Sequence, residues 1–240
     1  MYEIKRAIIM AAGTGSRMRP LTLKTPKPLI EVNGTRMIDT VIDSLLYNKI
    51  EEIYIVVGYL KEQFNCLLSK YPTVQLIENP FYDKCNNISS LYVAREHLED
   101  VIILDGDQVI FNKDILTKNY KGSSYNCIWT NSKTDEWLLT LDNGFVKSCS
   151  RTGGLSGWQL FSISRWTSED GKKLKKHLEI EFIDNKNTQI YWDDVALFCY
   201  PNEYKLQVVE MNSSDVIEID SYEELLEYDG SYNQNKGEVL

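Results

Sequence analysis

The stretch Ala7 to Leu29, AIIMAAGTGSRMRPLTLKTPKPL, constrains the fold more than any other part of the chain. The apolar run Ala7-Ile8-Ile9-Met10 predicts a buried strand, and it breaks into Ala11-Ala12-Gly13-Thr14-Gly15-Ser16-Arg17. Glycines placed directly after a strand let backbone N–H groups turn toward one ligand, an arrangement suited to phosphate. Arg17 and Lys27 supply positive charge to the same anion, which an ordinary strand-to-loop turn does not require. A Walker loop is excluded because no Lys-Ser/Thr pair follows the glycines. A dinucleotide fingerprint is excluded because no third glycine stands at the required place.

Downstream, Met37 to Leu46 carries apolar residues three and four apart and predicts an amphipathic helix. Ile53 to Val57 is a continuous, largely β-branched run, as expected of a strand buried on both faces. Lys61 to Lys70 predicts a second helix, Val74 to Ile77 a third strand and Val101 to Leu104 a fourth, while Ser89-Ser90 reads as the cap of a helix through Leu98. This alternation predicts an α/β fold with a doubly wound, mostly parallel central sheet. From about Cys127 shorter β-rich pieces take over, and they read as completing the sheet and adding a small β-rich lobe over its C-terminal edge. A helical stretch at 172–181, strands near 206–210 and 216–219 and an acidic helix at 222–228 follow. We expect one domain over 1–229, with halves 1–125 and 126–229, and a frayed polar tail at 230–240.

In an open sheet of this kind a ligand sits outside the carboxyl ends of the strands. The Gly13 loop, the Asn79 to Ser89 loop and Asp105-Gly106-Asp107 are expected to converge there. Two carboxylates follow a buried strand in Leu104-Asp105-Gly106-Asp107, and Glu218-Ile219-Asp220 repeats the pattern. Mg²⁺ takes one or two carboxylates together with phosphate oxygens and waters, so one aspartate from each segment suits it. Asp105 reads either as a turn former or as part of the site, and Asp220 either as a ligand or as a residue near a helix cap. The second half sets aromatics beside acids at Asp135-Glu136-Trp137 and Tyr191-Trp192-Asp193-Asp194, with Glu218 two residues before Asp220. Aromatic faces attract cations, and trimethylammonium suits an aromatic cage. His97 and His177 lie in polar helical stretches and read as solvated or capping residues.

The net charge is −9, yet residues 1–36 hold seven basic side chains against two acidic ones. A cationic patch on an acidic body points to a small polyanion as ligand and argues against nucleic acid. No apolar stretch approaches the roughly 18 residues of a membrane span, and the first residues carry no secretory apolar region. A cytoplasmic protein without membrane insertion is expected. Five widely spaced cysteines with no CxxC pair read as free thiols.

The string Gly-x-Gly-x-Arg-x-x-Pro-Leu-Thr from Gly13, with Pro26-Lys27 downstream, resembles the signature of nucleotidyltransferases that join a nucleoside triphosphate to a phosphorylated small molecule. With Gly58 to Phe64, Asn86-Asn87 to Ser90-Leu91, Glu136-Trp137, Leu155 to Gly157, Tyr191 to Asp193 and Glu218 to Ser221, nearly the whole chain is similar to bacterial CTP:phosphocholine cytidylyltransferases of the LicC type. The resemblance implies a Rossmann-like nucleotidyltransferase fold and Mg²⁺-dependent transfer of CMP from CTP to phosphocholine, giving CDP-choline and pyrophosphate. It implies that Asp107 and Asp220 hold Mg²⁺ and that Trp137, Tyr191, Asp193 and Glu218 surround choline. The segments from Ala11 to Arg17 (with Ala11, Ala12, Gly13, Gly15, Ser16 and Arg17) and from Asn86 to Ser90 would bind CTP, with Lys27 on phosphate, Asn87 and Ser89 reading the nucleoside and Asp105 completing the nucleotide site. Arg17, Lys27 and Asp107 are the expected catalytic residues.

Near pH 7 a phosphate monoester is already largely a dianion, so catalysis reduces to alignment and charge neutralisation, with no general base. The Glu-Lys-Pro lysine of sugar-phosphate relatives is absent, which argues against a hexose phosphate and leaves Arg151 as the candidate partner of the acceptor phosphate. Two alternatives stand beside this reading. The acceptor is 2-aminoethylphosphonate or phosphoethanolamine, whose primary ammonium Asp193, Asp194 and Glu218 would serve. Or the chain is a non-catalytic sensing domain with this fold, against which the intact Gly13, Gly15, Arg17, Lys27 and Asp107 speak.

Overall fold

A computed structural model describes residues 1–237, with side chains to residue 233. The apolar run of the glycine segment forms strand β1 (Arg6–Ala11), buried along nearly its whole length. Helix α1 (Met37–Tyr47) buries Ile38, Val41, Ile42 and Leu45 on one face. Strand β2 (Glu52–Val57), helix α2 (Asn65–Lys70), strand β3 (Val74–Glu78), helix α3 (Ile88–Val93) and strand β4 (Val101–Asp105) continue the alternation. β1 pairs in parallel with β2 and with β4, and β2 in parallel with β3. In the resulting order β3-β2-β1-β4 the connection reverses between β1 and β4, and an open α/β sheet receives ligands at that crevice.

The second half builds an antiparallel wing on the same sheet. After the short β5 (Gln108–Ile110) come β6 (Ser124–Thr130), the hairpin β7 (Leu138–Asp142) and β8 (Phe145–Ser150), and the long β9 (Gly157–Trp166). β9 lies antiparallel to β4, with Ile163 opposite Leu104, and carries β6 and β7 along its length. Helix α4 (Ser168–Glu179) starts where the Thr167 hydroxyl accepts the Asp170 amide. β10 (Gln207–Glu210) runs parallel to β6, and β11 (Val216–Glu218) pairs with β5 so that Glu218 faces Gln108. Helix α5 (Tyr222–Tyr228) opens on a capping box of Ser221 and Glu224.

Helices cover both sheet faces, as the pattern predicts. Ile9, Ile53 and Ile55 pack with Ile38, Val41 and Leu45 of α1, whereas Ile8, Val56 and Ile103 pack with Leu91 of α3 and with Leu174 and Leu178 of α4. A third cluster joins Met18, just past the glycine loop, to Met37, Val109, Ile219 and Leu225, so α5 props the loop from below.

Local readings differ in three places. Ser89 and Ser90 do not cap a helix: they are buried inside α3, Asn87 holds the N-cap position, and a separate 3₁₀ turn follows at Arg95–His97. The histidines are not simply solvated. His97 stacks on Tyr54 at 3.7 Å, and His177 stacks on Tyr200 at 3.7 Å with Nδ1 2.7 Å from the Tyr204 hydroxyl. In the expected polar tail, Gly230–Gly237 makes 3₁₀ turns and the Tyr232 hydroxyl donates to the Glu31 carbonyl, while residues 238–240 lie outside the described residues. The five cysteines are free thiols. Among the described residues no helix is long and apolar enough to cross a membrane.

Candidate active site

Two adjoining cavities, of about 420 and 230 Å³, open at the β1–β4 crevice and share Gly13, Thr14 and Asn87. Apart from Arg151 and Asp194, every residue singled out above as a nucleotide, acceptor or metal contact lines one or the other. Ala12 and Ser89 belong to the smaller cavity, and Ala11, Gly15, Ser16, Arg17 and Asp105 to the larger. Gly15 has φ of 59°, and a Cβ there would lie 2.9 Å from the Thr22 methyl and 3.0 Å from Lys27 Cβ, so the turn demands glycine. The amides of Gly13, Thr14 and Gly15 donate to no backbone acceptor among the described residues, which leaves them available to an anion.

Lys27 is only 7% exposed, and its Nζ donates to Asp107 Oδ2 at 2.6 Å and to Asp220 Oδ1 at 2.7 Å. Burial opposes its charge, but Asp107 and Asp220 outweigh burial and hold the ammonium above its usual range. Arg17 Nη2 lies 3.0 Å from the same Asp220 oxygen. Burial pulls the Asp220 carboxyl upward, yet Lys27 and then Arg17 keep it below its ordinary value. Its backbone is pinned by Glu224, whose carboxylate accepts the Asp220 amide at 2.6 Å.

Asp105, Asp107 and Glu218 each offer an oxygen within 4.8 Å of the others. Burial foremost, and the Asp107 charge next, push Asp105 and Glu218 well above the carboxylate range. Lys27 alone therefore does not neutralise this cluster. Asp107 Oδ1 is also buried without a hydrogen-bond partner. An all-oxygen donor set with one carboxylate oxygen unspent fits a hard divalent cation such as Mg²⁺.

At the far end of the larger cavity Trp137 and Tyr191 meet edge to face, their centroids 5.6 Å apart and their planes at 83°. Phe198 makes a second edge contact with Trp137 at 5.8 Å, while Trp192 turns into the core. Asp193 and Glu218 line the same space. Arg151 does not line it. Its guanidinium lies over the Phe198 ring at 3.9 Å and 2.6 Å from Asp194 Oδ1, which holds it outside the cavity where an acceptor phosphate would lie. Asp194 Oδ2 accepts the Tyr191 amide at 2.9 Å, which holds the Tyr191 backbone in place.

Burial raises the Asp193 carboxyl to about 7; the Tyr125 hydroxyl, donating at 2.9 Å, pulls it down and Asp194 pushes it up. Between about pH 4 and 7 the unfolded chain therefore releases a proton that the folded chain retains, so this group's contribution to stability falls as pH rises. Asp193→Asn keeps the bond from Tyr125 and removes the titration. Relative to wild type, the variant should gain on the order of 4 kcal/mol between pH 4 and 7.5 in urea unfolding. A difference that stays flat with pH would refute the shift.

Thr14 and Ser90 line the cavities within the two segments expected to bind CTP, whereas Leu160 and Ser162 also line the larger one and went unread. Ser162 and Leu160 sit on β9, whose pairing with β4 carries no local sequence signal.

The MobA-like NTP transferase domain family matches residues 7–152. The chain is 38% identical over 232 residues to the 2-aminoethylphosphonate cytidylyltransferase of Lancefieldella rimae, covering 96% of this chain and 94% of that one. It is 32% identical over 219 residues to the choline-phosphate cytidylyltransferase of Streptococcus pneumoniae, covering 91% and 94%. The solved structure of the CTP:phosphocholine cytidylyltransferase LicC from Streptococcus pneumoniae superposes with a TM-score of 0.88 at 31% identity, over 96% of this chain and 99% of that one.

Proposed function

Because the chain belongs to the MobA-like NTP transferase family, and within it to the LicC-type cytidylyltransferases, we propose that it transfers CMP from CTP to phosphocholine with release of pyrophosphate. One observation carries this reading. The glycine loop with Arg17 and Lys27 and the Trp137–Tyr191 pair with Asp193 and Glu218 line a single cavity of about 420 Å³, so an anionic donor and a cationic acceptor head meet across it.

The free amides of Gly13 to Gly15 and the Arg17 guanidinium take up the charge of the departing pyrophosphate. Lys27, already between the acids and the loop, neutralises the reacting phosphates. Trp137 and Tyr191 receive the ammonium head and fix the acceptor, so that its phosphate oxygen attacks the α-phosphate in line. Asp107 and Asp220 would hold Mg²⁺, with Asp105 and Glu218 beside it, and the ion would supply charge neutralisation at the α-phosphate.

A second reading, 2-aminoethylphosphonate as acceptor, is favoured by the 38% identical relative. A primary ammonium needs directed acceptors, which Asp193 and Glu218 offer, whereas trimethylammonium needs aromatic walls. Pyrophosphate release with CTP and each acceptor separates the two. We expect phosphocholine to be used best. Trp137→Ala should raise its KM about 3- to 30-fold, the range set by one cation–π contact, and leave the KM for CTP unchanged. Equal rates with phosphocholine, 2-aminoethylphosphonate and glucose 1-phosphate would overturn the cage.

A further inference from the structure

Trp137 and Tyr191 reach the larger cavity from separate segments, one leading into β7 and the other following helix α4. They touch only edge to face, and Tyr191 is 47% exposed. One such contact is too weak to fix the spacing of two loops, so a further group must tie the segments together.

Arg151 does so from outside the cavity. It stands on the turn after β8, and that turn is sutured to the Trp137 segment, because Thr134 and Gly154 exchange two backbone hydrogen bonds of 3.0 Å. At Gly153, with φ of 67°, a Cβ would lie 1.8 Å from the Thr134 carbonyl oxygen, so the close approach demands glycine. From this turn the guanidinium crosses to the Tyr191 segment. It lies 3.9 Å over the ring of Phe198, whose own contact with Trp137 spans 5.8 Å, and 5.7 Å from the Trp137 ring itself. Within about 6 Å a cation and an aromatic face attract. On its other side Nη2 is 2.6 Å from Asp194 Oδ1. Asp194 is 2% exposed and spends its second oxygen on the Tyr191 amide at 2.9 Å.

We propose that Arg151 is a positioning residue for the acceptor head, one guanidinium bracing Trp137 through Phe198 and Tyr191 through Asp194. The proposal rests on the reading of the Trp137–Tyr191 pair as the receiver of the ammonium. Arginine suits the role because its plane stacks on a ring while its fork meets a carboxylate, which lysine cannot do at once. Asp194 also neutralises the guanidinium, so a cation stands behind the cage without repelling the one the cage receives.

The test measures KM for phosphocholine, the inhibition constant of choline against phosphocholine, and KM for CTP. It compares wild type, Arg151→Met, Asp194→Asn, the double variant and Trp137→Ala. Choline carries the ammonium and no phosphate, so it reports on the cage alone. Arg151→Met should raise both acceptor-side constants together, about two- to tenfold, the worth of one aromatic contact, and leave KM for CTP unchanged. Asp194→Asn still accepts the Tyr191 amide but loses the ion contact, and it should raise the same two constants. The double variant should lose no more than the worse single, because the two side chains act as one unit. It also leaves no buried carboxylate unpaired, and so carries the test should Arg151→Met fail to fold.

A rise for phosphocholine with none for choline would put Arg151 on the acceptor phosphate and overturn the brace. Losses that multiply in the double variant, equal rises in all three constants, or no change where Trp137→Ala raises the acceptor constants would overturn it as well. Trp137→Ala without effect, or a wild type that choline does not inhibit, would instead overturn the cage, and the role of Arg151 with it.

Discussion

Replacing Asp107 by asparagine is expected to lower kcat about a thousandfold, the scale at which preorganised charge stabilisation acts, while the fold survives. Both effects follow from its position. Asp107 offers one oxygen to Lys27 at 2.6 Å and leaves the other buried and unpartnered at the crevice. Asparagine halves that donor capacity and removes the charge. Lys27 keeps Asp220 at 2.7 Å, and the crowding of Asp107 with Asp105 and Glu218 is relieved, so the melting temperature should hold or rise. The KM for CTP should move by far less than kcat, because the loop amides are untouched. A variant turning over within tenfold of wild type would end the metal assignment of Asp107.

Lys27→Met should have the second largest effect, and it falls on stability as well as activity. Methionine fills the lysine stem's volume but leaves Asp107 and Asp220 without the cation between them. Removing one partner from a buried ion pair costs about 3–5 kcal/mol, so the variant should melt early in EDTA. Added Mg²⁺ should recover most of that loss and should stabilise the wild type less. Turnover should fall about a hundredfold or more even in saturating Mg²⁺, as when a single charge-stabilising donor is removed. A variant as stable as wild type in EDTA, with no response to Mg²⁺, would show that these carboxylates form no cation site.

The glycine loop is legible in the sequence because its chemistry is local: an apolar strand, then Gly13 and Gly15, then Arg17 and Lys27. The parallel half is legible for the same reason, each strand and helix carrying its own period. What the sequence hides is set by pairing. Nothing in Gly157–Trp166 announces that it lies against β4 and lends Ser162 to the cavity. Ser89-Ser90 looks like a cap because serine prefers that position, and only the bonds from Asn79, ten and eleven residues upstream, explain why both serines are buried within a helix. Arg151 looks free for a phosphate until Phe198 and Asp194 are seen to hold it.

The prop formed by α5 beneath the glycine loop bears on how the enzyme comes into being. Lys27 and Asp220 are 193 residues apart, and Asp220 arrives only through the ladder of β11 on β5 and the capping box that follows. Contacts so distant along the chain are the last to form, and during synthesis the N-terminal part folds first. A ribosome-bound chain that has made the loop, Lys27 and Asp107 still lacks Glu218, Asp220 and the helix that supports the loop. Translation itself thus withholds activity, and the protein becomes an enzyme only when nearly all of it has been made.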